Sequence, residues 1–152
     1  MSRIVALDWG EKRIGIAVSD FSQQIAFPWI TIATKKTDRE TIEELLKVLK
    51  EKMPIERFVV GLPLHLDGNE SPMSLRVKEF GQQLEAIARI PVIYIDERLS
   101  SKQADMRLKE HALSRKKRAE ASDTMAAHIL LETYLNAPKT SFLRMRDKEG
   151  NP

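Results

Sequence analysis

Residues 3–20 read R-I-V-A-L-D-W-G-E-K-R-I-G-I-A-V-S-D, and this stretch decides the fold. Ile4 to Leu7 is a short apolar run that reaches Asp8 and Gly10. Arg13 to Val18 then alternates Ile14, Ile16 and Val18 with Gly15 and Ala17. Two β-rich runs so close together, with a glycine between them, predict antiparallel strands. A third run, Ile25 to Ala33, carries Trp29, and Pro28 within it predicts an edge strand or a bulge. The three together predict an antiparallel meander.

Beyond it the period changes. Ile42, Leu45, Leu46, Leu49 and Met53 fall at i, i+3, i+4, i+7 and onward, one face of a helix, and Thr37 with Glu40 offers a capping box ahead of it. Arg57 to Gly61 reads as a short buried strand. A second helix opens with Ser71 as cap and Pro72 at its first position, with Met73, Val77, Phe80, Leu84 and Ile87 on one face. Val92 to Ile95 is a further buried strand that ends at Asp96-Glu97. Ser100 or Ser101 caps an expected third helix through Ala104 and Leu108, and a last helix is expected from about Ser122 to Leu135. The order β-β-β-α-β-α-β-α-α predicts an α/β fold: a five-stranded mixed sheet, three antiparallel strands and then two α-connected ones, with helices on both faces. Residues 1–137 read as one domain and 138–152 as a polar, flexible C-terminal tail.

At 152 residues, 42% of them hydrophobic, the chain has the size of one domain with one core. It contains no cysteine, which excludes disulfides and thiolate metal sites and fits a reducing cytoplasm. No signal peptide is legible, and the longest nearly uncharged run, Ile25 to Thr34, is far short of the ~20 residues that span a membrane. A soluble, cytoplasmic protein without a membrane partner is the expectation. The net charge of +3 is unevenly spread: Arg98 to Arg118 holds eight basic residues against Asp105 and Glu110. Such clustering suits a phosphate-rich partner, although charge runs also serve as solvated faces.

Several acids stand where a core element would prefer apolar residues. Asp8 closes the first strand, either as a turn aspartate or as a carboxylate aimed into a cleft. Asp96 and Glu97 close another strand; neighbours on a strand face opposite sides, so only one can join Asp8. Val92-Ile93-Tyr94-Ile95 is apolar on both faces and does not say which. Asp123 is expected in the first turn of the last helix, where it would complement the helix dipole. Its neighbours Ala126, Ala127 and Leu130 form a small apolar face able to lie close on the sheet, which would set the carboxylate at the sheet's end. Carboxylates gathered in one place repel unless a cation joins them. Hard oxygen ligands favour Mg²⁺ or Mn²⁺, and paired ions about 3.5–4 Å apart hydrolyse phosphodiesters.

Four motifs in order, D-W-G-E-K-R-I-G-I-A-V-S-D (8–20), V-G-L-P-L-H-L-D-G (60–68), D-E-R-L-S-S (96–101) and S-D-T-M-A-A-H-I-L-L (122–131), resemble the YqgF family. Its members are described as Holliday junction resolvases and as nucleases that mature the 5′ end of 16S ribosomal RNA. The resemblance runs from Arg3 to about Leu135. It implies a ribonuclease-H-like fold, dependence on Mg²⁺ or Mn²⁺, and Asp8, Glu97 and Asp123 as catalytic, metal-holding residues; the choice of Glu97 over Asp96 comes from the family motif. His65 stands where many relatives carry asparagine.

Lys12, Arg13 and Arg98 flank the expected cleft as phosphate contacts or as salt-bridge partners. Arg115, Lys116, Lys117 and Arg118 read as a loop touching a nucleic-acid backbone. His111 and His128 lack metal-ligand spacing and read as ordinary helix residues, and Trp9 and Trp29 read as core. The function expected is a metal-dependent nuclease acting on precursor ribosomal RNA, with ribosomal particles as further partners. A junction resolvase acting on branched DNA is the alternative within that class, and it would need a homodimer where an RNA nuclease could act as a monomer. Two readings of other classes are a non-catalytic RNA- or ribosome-binding module and a sugar-kinase-like phosphate binder, for which 152 residues are too few.

Overall fold

The predicted β-rich runs become strands β1 (Arg3–Trp9), β2 (Arg13–Ser19) and β3 (Ala26–Ala33) of a computed structural model. The structure describes residues 1–63, 68–96 and 115–137. Helix α1 (Asp38–Val48) follows, with a 3₁₀ turn at Leu49–Lys52, then β4 (Ile55–Leu62), α2 (Pro72–Ala88), β5 (Val92–Asp96) and α3 (Arg115–Asn136). The strands form one sheet in the order β3-β2-β1-β4-β5. The β1–β2 and β2–β3 pairs are antiparallel, and the β1–β4 and β4–β5 pairs parallel, as expected of a mixed sheet. The helix expected between Ser100 and Leu108 and the tail 138–152 lie outside the described residues.

Strand alternation divides the core in two. Val5, Leu7, Ile14, Ile16, Phe58 and Tyr94 face α1 and α2, where Ile42, Leu45, Phe80 and Leu84 cover them. Ile4, Ala6, Ala17, Val59, Ile93 and Ile95 face α3, which contributes Ala127, Leu130, Leu131 and Tyr134. Every one of these side chains is at most 8% exposed. Truncating one such leucine, for example Leu130, to alanine removes about 2–5 kcal/mol.

The ends of α1 and α2 follow the sequence signals closely. Thr37 caps α1, its hydroxyl accepting from the Glu40 amide at 3.1 Å. Ser71 and Ser74 form a reciprocal capping box at α2, whose first residue is Pro72. Arg76 of α2 donates both outer guanidinium nitrogens to Asp38 of α1, at 2.6 and 2.8 Å, and lies 5.0 Å over the Trp9 ring. This clamp locks the two helices to the end of β1. Pro28 marks a bulge: it pairs with Ala17, the register shifts before Gly15 meets Thr31, and Trp29 and Ile30 both turn toward the α1 side.

Two expectations need correction. The helical face does not run on to Met53; α1 gives way to the 3₁₀ turn, and Met53 is 37% exposed beside Pro54. The last helix already includes Arg115, well before Ser122, so Arg115–Arg118 belongs to the helix and not to a loop. Arg, Lys, Ala and Glu are all strong helix formers, and they carry the helix through residues well ahead of Ser122. Asp123 is therefore two turns inside α3, and the helix-dipole argument for it falls away, because that effect fades within the first turn.

Candidate active site

Asp8 lies on β1 with the parity of Ile4 and Ala6, and so on the α3 face of the sheet. Its partner on β2 is Gly15, and Gly15 in turn pairs with Thr31 of β3. One row thus runs Asp8–Gly15–Thr31 across three strands. Glycine in a strand interior sacrifices packing, so its presence marks a close approach. Here the approaching group is Asp123. A Cβ built on Gly15 would lie 2.9 Å from the Asp123 Cβ and well inside 3.0 Å of its carbonyl carbon and oxygen. The next residue, Thr124, shares a hydrogen bond with Thr31, Oγ1 to Oγ1 at 3.1 Å.

Further down, α3 is held by His128 Nε2, 3.1 Å from the Ala26 carbonyl oxygen, and by Arg57, which donates to the Tyr134 hydroxyl at 2.5 Å. Small residues on both sides, Ala6 and Ala17 against Ala127, keep the helix close to the sheet. Asp8 and Asp123, 115 positions apart in the chain, are thereby brought to adjoining places at the carboxyl end of β1.

Arg13, at the start of β2, pairs its Nε with Asp123 Oδ2; the two side chains are 35% and 23% exposed. Of its two expected roles, the structure places Arg13 in a salt bridge to a site carboxylate. Lys12 is exposed in the β1–β2 turn at the same end of the sheet, where its carbonyl accepts from the Thr34 amide at 3.0 Å. Gly10 opens that turn, since a Cβ there would come 2.8 Å from the Arg13 carbonyl oxygen. The helical rise carries the Arg115–Arg118 backbone roughly 8–12 Å beyond Asp123, away from Tyr134.

On β5, Ile93 and Ile95 face α3 whereas Tyr94 faces the other core. Asp96 pairs with Leu62, which also faces α1 and α2, so its parity sets it on the face opposite Asp8. Glu97, Arg98, His65 and His111 lie outside the described residues. Among the described residues no three His, Cys, Asp or Glu side chains gather as a metal site. The two carboxylates at the Gly15 row offer hard oxygen donors of the kind a divalent cation takes. His128 is occupied as a helix-to-sheet contact, and Trp9 is buried, as expected. Gly15 is the feature sequence reading missed: the signal was a glycine in the middle of a strong β-strand, opposite the aspartate.

Among the described residues no helix is long and apolar enough to cross a membrane. Comparison with known proteins now adds to this geometry. The fold is similar to that of T. thermophilus RuvC in complex with a Holliday junction substrate, with a TM-score of 0.57 and 15% identity over 95% of this chain and all of that one. A second T. thermophilus RuvC structure matches with a TM-score of 0.54 at 16% identity, over 94% of this chain and 99% of that one. A protein of Protochlamydia amoebophila described as "Putative pre-16S rRNA nuclease" is 40% identical over 141 residues, 90% of this chain and 94% of the relative. One from Caldanaerobacter subterraneus subsp. tengcongensis, with the same description, is 42% identical over 142 residues, 91% of this chain and 99% of the relative. The family model described as "RuvX: Holliday junction resolvase" matches residues 2–137. On that span and that identity, the chain belongs to the RuvX family of nucleases, also called YqgF, with the ribonuclease-H-like fold that its motifs led one to expect.

Proposed function

We propose that this nuclease hydrolyses phosphodiester bonds in precursor 16S ribosomal RNA, using a divalent cation, Mg²⁺ or Mn²⁺, held by Asp8, Asp123 and Glu97. The observation that carries the reading is the meeting of Asp8 and Asp123 over Gly15. Two carboxylates brought together at a sheet end repel each other, and a cation gives the reason to gather them. When bound, such an ion supplies a Lewis acid for the phosphodiester and activates the attacking water. Support for Glu97 over Asp96 is the alternation of β5, which sets Asp96 on the face opposite Asp8.

The chain's own residues have further roles in this reading. Arg13 holds the Asp123 carboxylate in place and offsets its charge. Lys12, exposed at the same end of the sheet, is proposed to contact the substrate backbone, and the basic residues Arg98 and Arg115–Arg118 are proposed to add to that contact. The precursor RNA substrate is supported by the description shared by the two relatives at about 40% identity.

The family description as a junction resolvase supports a second reading, in which a homodimer places two sites to cut two strands together. One experiment separates them. The purified chain is presented with a 5′-extended 16S precursor and with a four-way DNA junction, each with Mn²⁺ or with EDTA. The expected result is Mn²⁺-dependent shortening of the RNA by wild type, none by Asp8→Asn, and an intact junction. Paired nicks in the junction with untouched RNA would assign resolvase activity instead. Full RNA cleavage by Asp8→Asn would overturn the assignment of the site.

A further inference from the structure

A second surface stands apart from the carboxylates, at the other end of the sheet and on its other face. The bulge at Pro28 turns Trp29 toward α1, so Trp29 is only partly buried, not fully in the core as expected. It lines two adjoining surface cavities. One, of about 380 Å³, also holds Arg3, Phe21, Phe27 and Lys52. The other, of about 590 Å³, holds Lys47, Lys50 and Glu51. Phe21 and Phe27 are 39% and 48% exposed, unusual for phenylalanine on a soluble domain. The cations here lie against rings: the Arg3 guanidinium is 3.9 Å from the Phe21 ring centre, and Lys52 Nζ 5.1 Å from that of Trp29.

We infer that this aromatic and basic groove along the β3 edge binds single-stranded RNA, holding the strand that flanks the cut. Rings that accept bases, interleaved with cations that track phosphates, are the combination that grips single strands without reading sequence. Charge favours this occupant. The lining carries four cations (Arg3, Lys47, Lys50, Lys52) against two acids, Asp20 and Glu51. The Asp20 carboxylate is already engaged by the amides of Ser22, Gln24 and Ile25. Along β1, Arg3 is five residues from Asp8, roughly 17 Å, which sets the separation along the strand between cleft and groove. The inference rests on the RNA reading above and adds where the substrate is held away from the chemistry.

The test is fluorescence anisotropy of a labelled single-stranded oligoribonucleotide of mixed sequence, titrated with the full chain in EDTA, so that no cleavage occurs. Phe27→Ala should weaken binding about fivefold or more. Lys47→Gln/Lys50→Gln should weaken it too and flatten the log-affinity against log-salt slope by about 1.4, two phosphate contacts' worth. Thermal melting accompanies each; if Phe27→Ala melts early, the lysine pair, exposed and outside the core, decides. Wild-type affinity and slope in the lysine pair would overturn the inference, as would no binding by wild type. Concentration-dependent dimerisation that Phe27→Ala abolishes, with RNA binding unchanged, would give the groove to a second copy of the chain and overturn it as well. The cleavage assay above does not depend on these outcomes, so either reading can fail alone.

Discussion

Gly15→Ala is the most informative single change. Ordinary van der Waals contact begins near 3.4 Å, and the new methyl would lie well inside 3.0 Å of the Asp123 carbonyl group and 2.9 Å from its Cβ. The obstacle is helix backbone, not a side chain that can swing away. Helix α3 must therefore withdraw by roughly 1 Å, or β2 must bend. Overpacking of this kind destabilises by about 1–3 kcal/mol. At about 2–4 °C per kcal/mol for a chain of this size, Tm should fall by about 2–12 °C. The larger effect is on chemistry: Asp123 moves away from Asp8, and a misplacement on the order of 1 Å lowers turnover about 10²-fold. Melting followed by calorimetry and Mn²⁺-dependent cleavage of the RNA precursor read the two effects separately. A Gly15→Ala protein that melts and cleaves like wild type would refute the claim that this glycine seats Asp123 at the proposed site.

Two further changes test the surrounding physics. Gly81→Ala should destabilise α2, although alanine is the better helix former by about 1 kcal/mol. Its Cβ would crowd the Tyr94 hydroxyl and come 3.0 and 3.1 Å from two ring carbons. Adding Tyr94→Phe should recover part of the lost Tm, and no recovery would contradict the steric account. The Asp20 carboxyl is held down to about 2 by the Ser22 hydroxyl and by the Ile25 and Gln24 amides. A lowered folded pKa stabilises above the unfolded value, near 3.8, and that stabilisation is lost as pH falls toward 2. Asp20→Ala should therefore melt below wild type at pH 6, with the gap closing between about pH 4 and 2. A gap constant over that range would contradict the assignment.

Much of the fold was legible because the signals were local. The strand alternation in 3–20, the Ser71-Pro72 helix start and the Pro28 bulge each depend on a few neighbouring residues. The helical state of Arg115–Ala121 was not legible, because a run of charged residues shows no apolar face of helical period to announce it. The site was half legible. A strand-end Asp8 and a small-faced Asp123 could be picked out singly, but their meeting depends on the 8–15 register and on the missing Cβ of Gly15, both long-range facts. Asp96 and Glu97 could not be told apart from an all-apolar strand. The assignment of Ile93 and Ile95 to one core and Tyr94 to the other places Asp96 away from Asp8. Arg13 could have served phosphate or carboxylate, and only the position of Asp123 fixes its partner.

The central claim is that acids from three distant parts of the chain share one divalent ion. Titration calorimetry of Mn²⁺ into wild type, Asp8→Asn, Glu97→Gln, Asp123→Asn and Asp96→Asn tests it directly. The account predicts that the first three variants each bind Mn²⁺ at least about tenfold more weakly than wild type, while Asp96→Asn binds as wild type does. Unchanged affinity in Asp8→Asn and Asp123→Asn would contradict it.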